Sequence, residues 1–164
     1  MLLNVGNIID MQWVARYNPG AVAYIWQGGQ EGCRGVLDVL NGTVSPSGKL
    51  PDTIAHTPAD YPAADHYGAD DRNFYAEDIY VGYRYFETFS PEKVLYPFGF
   101  GLSYTKFEVQ LLSADESADR ITAVATVKNI GARPGKEVVQ LYCTAPQGLL
   151  GQPAKAVSYT HLTL

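Results

Sequence analysis

The stretch Tyr80–Phe107, YVGYRYFETFSPEKVLYPFGFGLSYTKF, constrains this chain more than any other. Tyr96-Pro97-Phe98-Gly99-Phe100-Gly101 within it cannot continue a helix, because Pro97 removes a backbone donor and the glycines permit positive φ. Ahead of it, Ile79–Phe86 mixes β-branched and aromatic residues with the alternation of a strand. Ser90-Pro91-Glu92 marks a turn, and Leu102–Val109 reads as a strand again. An irregular aromatic segment thus separates an α/β half from an all-β half, where a domain junction is expected.

The first half alternates strand and helix signals. Leu2–Ile9 and Ala21–Trp26 are continuous apolar runs that predict buried strands. Asp10 can cap a helix over Met11–Tyr17, which Asn18-Pro19-Gly20 ends. Glu31–Leu40 predicts a second helix, stopped by Asn41-Gly42. Apolar strands covered by helices imply a parallel sheet. Two such strands are too few for a stable domain, and Met1 stands where an upstream strand residue is expected, so most of this sheet is expected to be missing. From Ser45 to about Asp71 the chain reads as a long turn-rich loop with short helical turns.

The second half changes period. Phe107–Leu111 alternates, Ala114–Arg120 is a polar turn, and Ile121–Ile130 places Ile121, Ala123, Ala125 and Val127 on one face. Glu137–Cys143 predicts a further strand. Such spacing suggests part of a β-sandwich.

Two motifs carry a resemblance. The run Tyr75–Phe86 followed by Tyr96–Phe107 resembles the C-terminal region of glycoside hydrolase family 3, the β-glucosidase and β-xylosidase type enzymes. Asp78 stands where many members have Gly, which would alter the local turn. Lys128-Asn129-Ile130-Gly131 with Pro134–Tyr142 is similar to the fibronectin type III-like domain that closes many of these enzymes. The resemblance covers about Leu2–Ala156. It implies an α/β class, a partial parallel-sheet α/β sandwich over residues 1–71, then an aromatic junction over 72–104. A partial all-β, immunoglobulin-like or fibronectin type III-like sandwich follows over 105–156. Residues 157–164, VSYTHLTL, fit neither pattern and read as a non-native tail.

The resemblance also implies a parent that is a retaining, exo-acting β-glucosidase acting on terminal β-glucosyl residues, with no cofactor. Glycoside hydrolysis needs two carboxyl groups flanking the scissile bond. In the family these are an Asp on an N-terminal barrel and a Glu ahead of the region matched here. Neither has a counterpart in this chain, so the expected catalytic set is empty, the barrel counts as a missing partner, and the chain alone is expected to be inactive. Trp26-Gln27-Gly28-Gly29-Gln30-Glu31-Gly32 leaves the C-terminal end of a strand, where ligands of open sheets gather, and resembles the family's Gly-Gln-Glu-Gly motif. Trp26, Gln30 and Glu31 are therefore candidate substrate-binding residues. Glu31 is expected in the first turn of a helix, whose dipole favours the ionised carboxylate, whereas a general acid must hold its proton.

Other classes are disfavoured. Net charge is −5 with no basic run, against nucleic-acid binding. No apolar stretch approaches a membrane span. The opening residues lack a secretion signal, which leaves the compartment open and leans towards the cytoplasm. His56, His66, His161, Cys33 and Cys143 show no metal-ligand spacing, and a disulfide is not suggested. Gly28, Gly29, Gly32 and Gly35 do not form a phosphate-cradle pattern and read as tight turning. Asn41-Gly42-Thr43 matches a glycosylation sequon but reads first as a helix stop. Phe74, Tyr75, Tyr80, Tyr83, Tyr85, Phe86 and Phe89 are expected to pack cores and interfaces rather than stack sugars, with Arg84 pairing Glu77 or Asp78. The alternative function is a non-catalytic carbohydrate-binding or interaction module.

Overall fold

The computed structural model describes residues 1–66, 68, 71–146 and 151–157. These fall into two compact units: one from 1–32, 49–100 and 140–164, the other from 33–48 and 101–139.

In the first unit, β1 (Leu2–Leu3) and β2 (Ala23–Tyr24) pair in parallel, Leu2 opposite Ala23 and Leu3 opposite Tyr24. The expected parallel pairing is present, but each strand is much shorter than its apolar run. Helix α1 (Trp13–Tyr17) crosses between them. Asp10 Oδ1 accepts the Gln12 amide at 2.8 Å ahead of it. Asn18 ends it in the left-handed region at φ +42°, donating its amide to the Val14 carbonyl. Short polar Asn tolerates that conformation better than most residues. Buried Leu3, Met11 and Ile54 form the core, with Ile8, Trp13, Val14, Tyr24 and Leu95 packed against it. Ile54 comes from β3 (Ile54–Ala55), which pairs antiparallel with β4 (Val94–Tyr96).

Two short 3-10 turns, Pro58–Asp60 and Ala64–His66, occupy the long loop. Asp60 Oδ2 accepts both the Thr57 amide, at 3.0 Å, and the Thr57 hydroxyl, at 2.9 Å. Those bonds, the Thr57 hydroxyl first, hold its carboxyl below the usual range, with Lys93 adding to them. The locked turn sends Tyr61 back onto β3. Its hydroxyl donates to the Thr53 carbonyl at 2.9 Å and accepts the Ala55 amide at 3.0 Å. One hydroxyl thus takes the place of a neighbouring strand along that edge.

Ile79–Phe86 is not a strand. Gly82, at φ +58°, turns the chain into helix α3 (Tyr83–Phe89). Burial decides this: Phe86 is fully buried and meets Tyr61 edge-on at 5.4 Å. Tyr85 and Phe89, a helical turn apart, lie 5.6 Å ring to ring. The period-two expectation for Tyr83 and Tyr85 therefore fails. Arg84 does not pair with Glu77 or Asp78; it donates to the Ile79 carbonyl and towards the Tyr83 hydroxyl, both at 3.5 Å. Phe74 and Tyr75 are exposed, Tyr75 at 91%, so the packing expected of the aromatic set fails for these two, while Phe89, also 55% exposed, still meets Tyr80 at 4.8 Å. Asp78 keeps a glycine-like turn, at φ +50°. The predicted strand Glu137–Cys143 shrinks to β7 (Tyr142–Cys143), paired with β8 (Ala156–Val157). Thr88 ties this segment down by accepting the Ala154 amide at 2.9 Å.

The second unit holds α2 (Gly32–Leu40) from Cys33 on, and the hairpin of β5 (Phe107–Glu116) and β6 (Ile121–Asn129). The strand expected at Leu102 begins at Phe107, because Thr105 is turned inward. Thr105 donates to Asn129 Oδ1 at 2.7 Å, and Asn129 Nδ2 donates to the Arg133 carbonyl at 2.8 Å. A Cβ on Gly131 would lie 2.9 Å from the Lys106 amide, so only glycine fits that corner. Tyr104 donates to the Val39 carbonyl at 2.9 Å, and Ser45 to the Pro134 carbonyl at 2.8 Å, which attaches α2 and its tail to the hairpin. Gly42, at φ +79°, is the helix stop the sequence announced. The ladder runs from Phe107 opposite Asn129 to Glu116 opposite Ile121, with Leu112 as an extra residue between the Leu111–Ala125 and Ser113–Val124 pairs. Val109, Leu111 and Ile121 remain 49%, 59% and 58% exposed on this ribbon. Cys33 and Cys143 are free thiols. Residues 158–164, with His161 and nearly all of the tail read as non-native, lie outside the described residues.

Candidate functional site

Parallel strands end in the same direction, so the segments leaving β1 and β2 meet at one edge of the pair. Open α/β sheets gather ligands at such edges. The segment after β1 passes close to the one after β2. A Cβ on Gly6 would lie 2.9 Å from the Gln27 side-chain carbon Cδ. The Tyr24 hydroxyl donates to the Asn7 carbonyl. Burial raises the Tyr24 hydroxyl above its ordinary pKa, with the Asp52 charge adding to the effect. Ile25 donates its amide to the Leu3 carbonyl at 3.0 Å, continuing the ladder one step past the strands.

Trp26 follows at φ +54°. A bulky aromatic residue rarely adopts the left-handed region, and such backbone strain gathers at binding and catalytic sites. Its ring packs against Tyr24 at 4.7 Å and 44°, which holds it in place. Half-buried and set at the end of β2, Trp26 offers an aromatic wall. Gln30 and Glu31 stand on the exposed turn beyond. Glu31 falls one residue ahead of α2 rather than within its first turn. The turn is tight because a Cβ on Gly28 would lie 2.9 Å from Gly32 Cα, and the Gly32 amide bonds to the Gly29 carbonyl at 3.0 Å. That accounts for Gly28, Gly29 and Gly32 without a phosphate. The loop therefore combines an aromatic ring with an amide and a carboxylate, groups suited to holding a polyhydroxylated ligand.

The sequence pointed to Trp26, Gln30 and Glu31, but not to Gly6, Asn7 and Tyr24, which shape the same edge. The only signal for these was their place within the apolar runs Leu2–Ile9 and Ala21–Trp26. Among the described residues no cluster of three His, Cys, Asp or Glu side chains could hold a metal ion. No described helix is long and apolar enough to cross a membrane.

Comparison with known proteins places these observations in a family. The family model for the glycosyl hydrolase family 3 C-terminal domain matches residues 1–104. The chain is 52% identical over 157 residues to a β-glucosidase of Ruminococcus albus, covering 96% of this chain and 16% of that protein. It is 47% identical to β-glucosidase A of Butyrivibrio fibrisolvens, covering 96% of this chain and 21% of that protein. Among solved structures, a β-glucosidase from Paenibacillus barengoltzii superposes with a TM-score of 0.89 at 52% identity, over 95% of this chain and 18% of that one. β-Glucosidase 3B from Thermotoga neapolitana, in complex with glucose, superposes with a TM-score of 0.87 at 39% identity, over 99% of this chain and 23% of that one. The chain thus spans about a fifth of the length of the relatives it matches.

Proposed function

Since this chain belongs to the C-terminal domain family of the family 3 glycosyl hydrolases, we propose that it serves as part of a retaining, exo-acting β-glucosidase. The observation that carries this reading is the 52% identity to the Ruminococcus albus β-glucosidase, sustained over 96% of the chain. Hydrolysis with retention runs through two carboxyl groups about 5–5.5 Å apart, one attacking the anomeric carbon and the other protonating the leaving oxygen. No residue of this chain is assigned to either role. Residues 1–71 contribute the end of an α/β sandwich domain, and residues 105–156 part of a fibronectin type III-like domain. The contribution to chemistry is a wall: Trp26 presents an aromatic face to a sugar ring, and Gln30 and Glu31 offer hydrogen bonds to its hydroxyls.

The test is a chimera. This chain replaces the matching segment of the Ruminococcus albus enzyme, and hydrolysis of an aryl β-glucoside is followed. The chimera hydrolyses the glucoside, and the chain alone does not exceed its Glu31→Gln variant. In the chimera, Glu31→Gln raises KM while largely sparing kcat, the mark of lost ground-state binding. A chimera that melts cooperatively yet shows no turnover overturns the reading. A collapse of kcat in Glu31→Gln would move Glu31 from wall to catalyst.

A further inference from the structure

A second place in the first unit has the chemistry of a binding site, and nothing in the hydrolytic reading uses it. A cleft of about 310 Å³ opens where β3 meets the start of α3, lined by Asp52, Thr53, Gly82, Tyr83, Arg84 and Phe98 among others. We propose that it is a non-catalytic binding site for one neutral polyhydroxylated ring, a sugar. Its volume lies at the lower end of the about 300–1,000 Å³ typical of small-molecule sites.

Three observations converge. First, Thr53 is 2% exposed, and its Oγ1 has no hydrogen-bond partner among the described residues. Buried hydroxyls are rarely left so. Thr53 lines the cleft, so a ligand seated there is the nearest candidate partner for that hydroxyl. Second, Asp52 and Arg84 bring opposite charges to the same walls, and neither joins an ion pair among the described residues. The hydrogen bonds of Arg84 are both long, at 3.5 Å. Third, Tyr83 and Phe98 stack on each other at 4.8 Å and 29°, a rigid apolar surface beside the charged groups. Gly82, at φ +58°, meets nothing where a Cβ would stand, so this wall is cut back to backbone.

The ligand class follows from that set. An anion would face the Asp52 carboxylate, and a cation the Arg84 guanidinium. A sugar hydroxyl both donates and accepts. One ring can give an O–H to Asp52, accept an N–H from Arg84 and exchange a bond with Thr53 Oγ1. Its C–H face lies against the Tyr83–Phe98 wall.

Titration of the 164-residue chain with methyl β-D-glucopyranoside, followed by calorimetry and saturation-transfer NMR, tests the proposal. Inorganic sulfate and ethylammonium serve as anionic and cationic controls. Saturable glucoside binding without binding of either ion is expected. Asp52→Ala and Arg84→Ala each weaken it about tenfold or more, as lost charged hydrogen bonds do. Thr53→Val weakens it too but does not lower the melting midpoint, since an unpartnered hydroxyl is replaced by a methyl of the same shape. Absence of saturable binding overturns the proposal. So does binding that survives all three substitutions, or sulfate binding in preference to glucoside. The chimera's hydrolysis is unaffected by Asp52→Ala, so failure here and failure of the β-glucosidase reading are separately visible.

Discussion

Removing one oxygen atom from Tyr61 is expected to cost more than its half-exposed position suggests. Its hydroxyl stands between the Thr53 carbonyl, to which it donates at 2.9 Å, and the Ala55 amide, which it accepts at 3.0 Å. Thr53 and Ala55 are 2% and 3% exposed, so water cannot replace the hydroxyl at either group without opening the structure. Tyr61→Phe keeps the ring and its edge-on contact with Phe86, so the change isolates the oxygen. A stranded buried backbone group costs about 1–3 kcal/mol. Two of them, less the desolvation of the hydroxyl itself, predict a loss of about 2–4 kcal/mol. Urea unfolding gives the global figure. Hydrogen exchange at the Ala55 amide gives the local one, where 2 kcal/mol corresponds to roughly a 30-fold faster exchange. A global loss below about 0.5 kcal/mol, together with unchanged Ala55 protection, would show that the hydroxyl does not bridge this edge.

Three further outcomes are expected. Burial first, with the charges of Asp52 and Asp60 adding to it, holds the Tyr61 hydroxyl above its ordinary pKa. The unfolded chain loses this proton near pH 10 while the folded one keeps it. Its contribution to stability is therefore intact below about pH 10 and is lost as pH rises through the folded value. An alkaline unfolding series shows a shallower slope in Tyr61→Phe than in the native chain, the Tyr24 and Tyr142 hydroxyls, also raised by burial, keeping their share. Asp78 is exposed at φ +50°, a conformation that costs most residues about 1–2 kcal/mol, so Asp78→Gly stabilises by up to about 1 kcal/mol in thermal melts. A loss of that size would count against the turn. Val109, Leu111 and Ile121 leave an apolar ribbon face open to solvent. The chain is expected to self-associate in light scattering, and Leu111→Lys with Ile121→Lys to reduce this. A native chain that runs as a sharp monomer removes that argument.

The readable parts of this chain were those with local punctuation. Asn18-Pro19, Asn41-Gly42 and Ser90-Pro91 end elements where the sequence announces it, and the alternation of Ile121–Asn129 is a real strand. The failures share one cause. Ile79–Phe86 alternates like a strand, yet Gly82 turns the chain and Phe86 is drawn into a helix by Tyr61, which lies in a loop about 25 residues away. No local pattern encodes that contact. The same holds at the candidate sites. The ring of Trp26 could be picked out from its position at the end of an apolar run, but not its strained backbone or its packing against Tyr24. Asp52 and Thr53 lie in one stretch and Arg84 in another, and they come to the same cleft only through the pairing of β3 with β4 and the turn at Gly82.

Leu112, the supernumerary residue of β5, makes the long hairpin unequal in its tolerance of length change. Excising it would leave Leu111 opposite Ala125 and Ser113 opposite Val124, so every later side chain would keep its side. Losing a residue beyond it, such as Ala114, would shift the count by one and turn the remainder of the arm inside out. Single-codon deletions in this arm should therefore be borne best at Leu112 and worst beyond it.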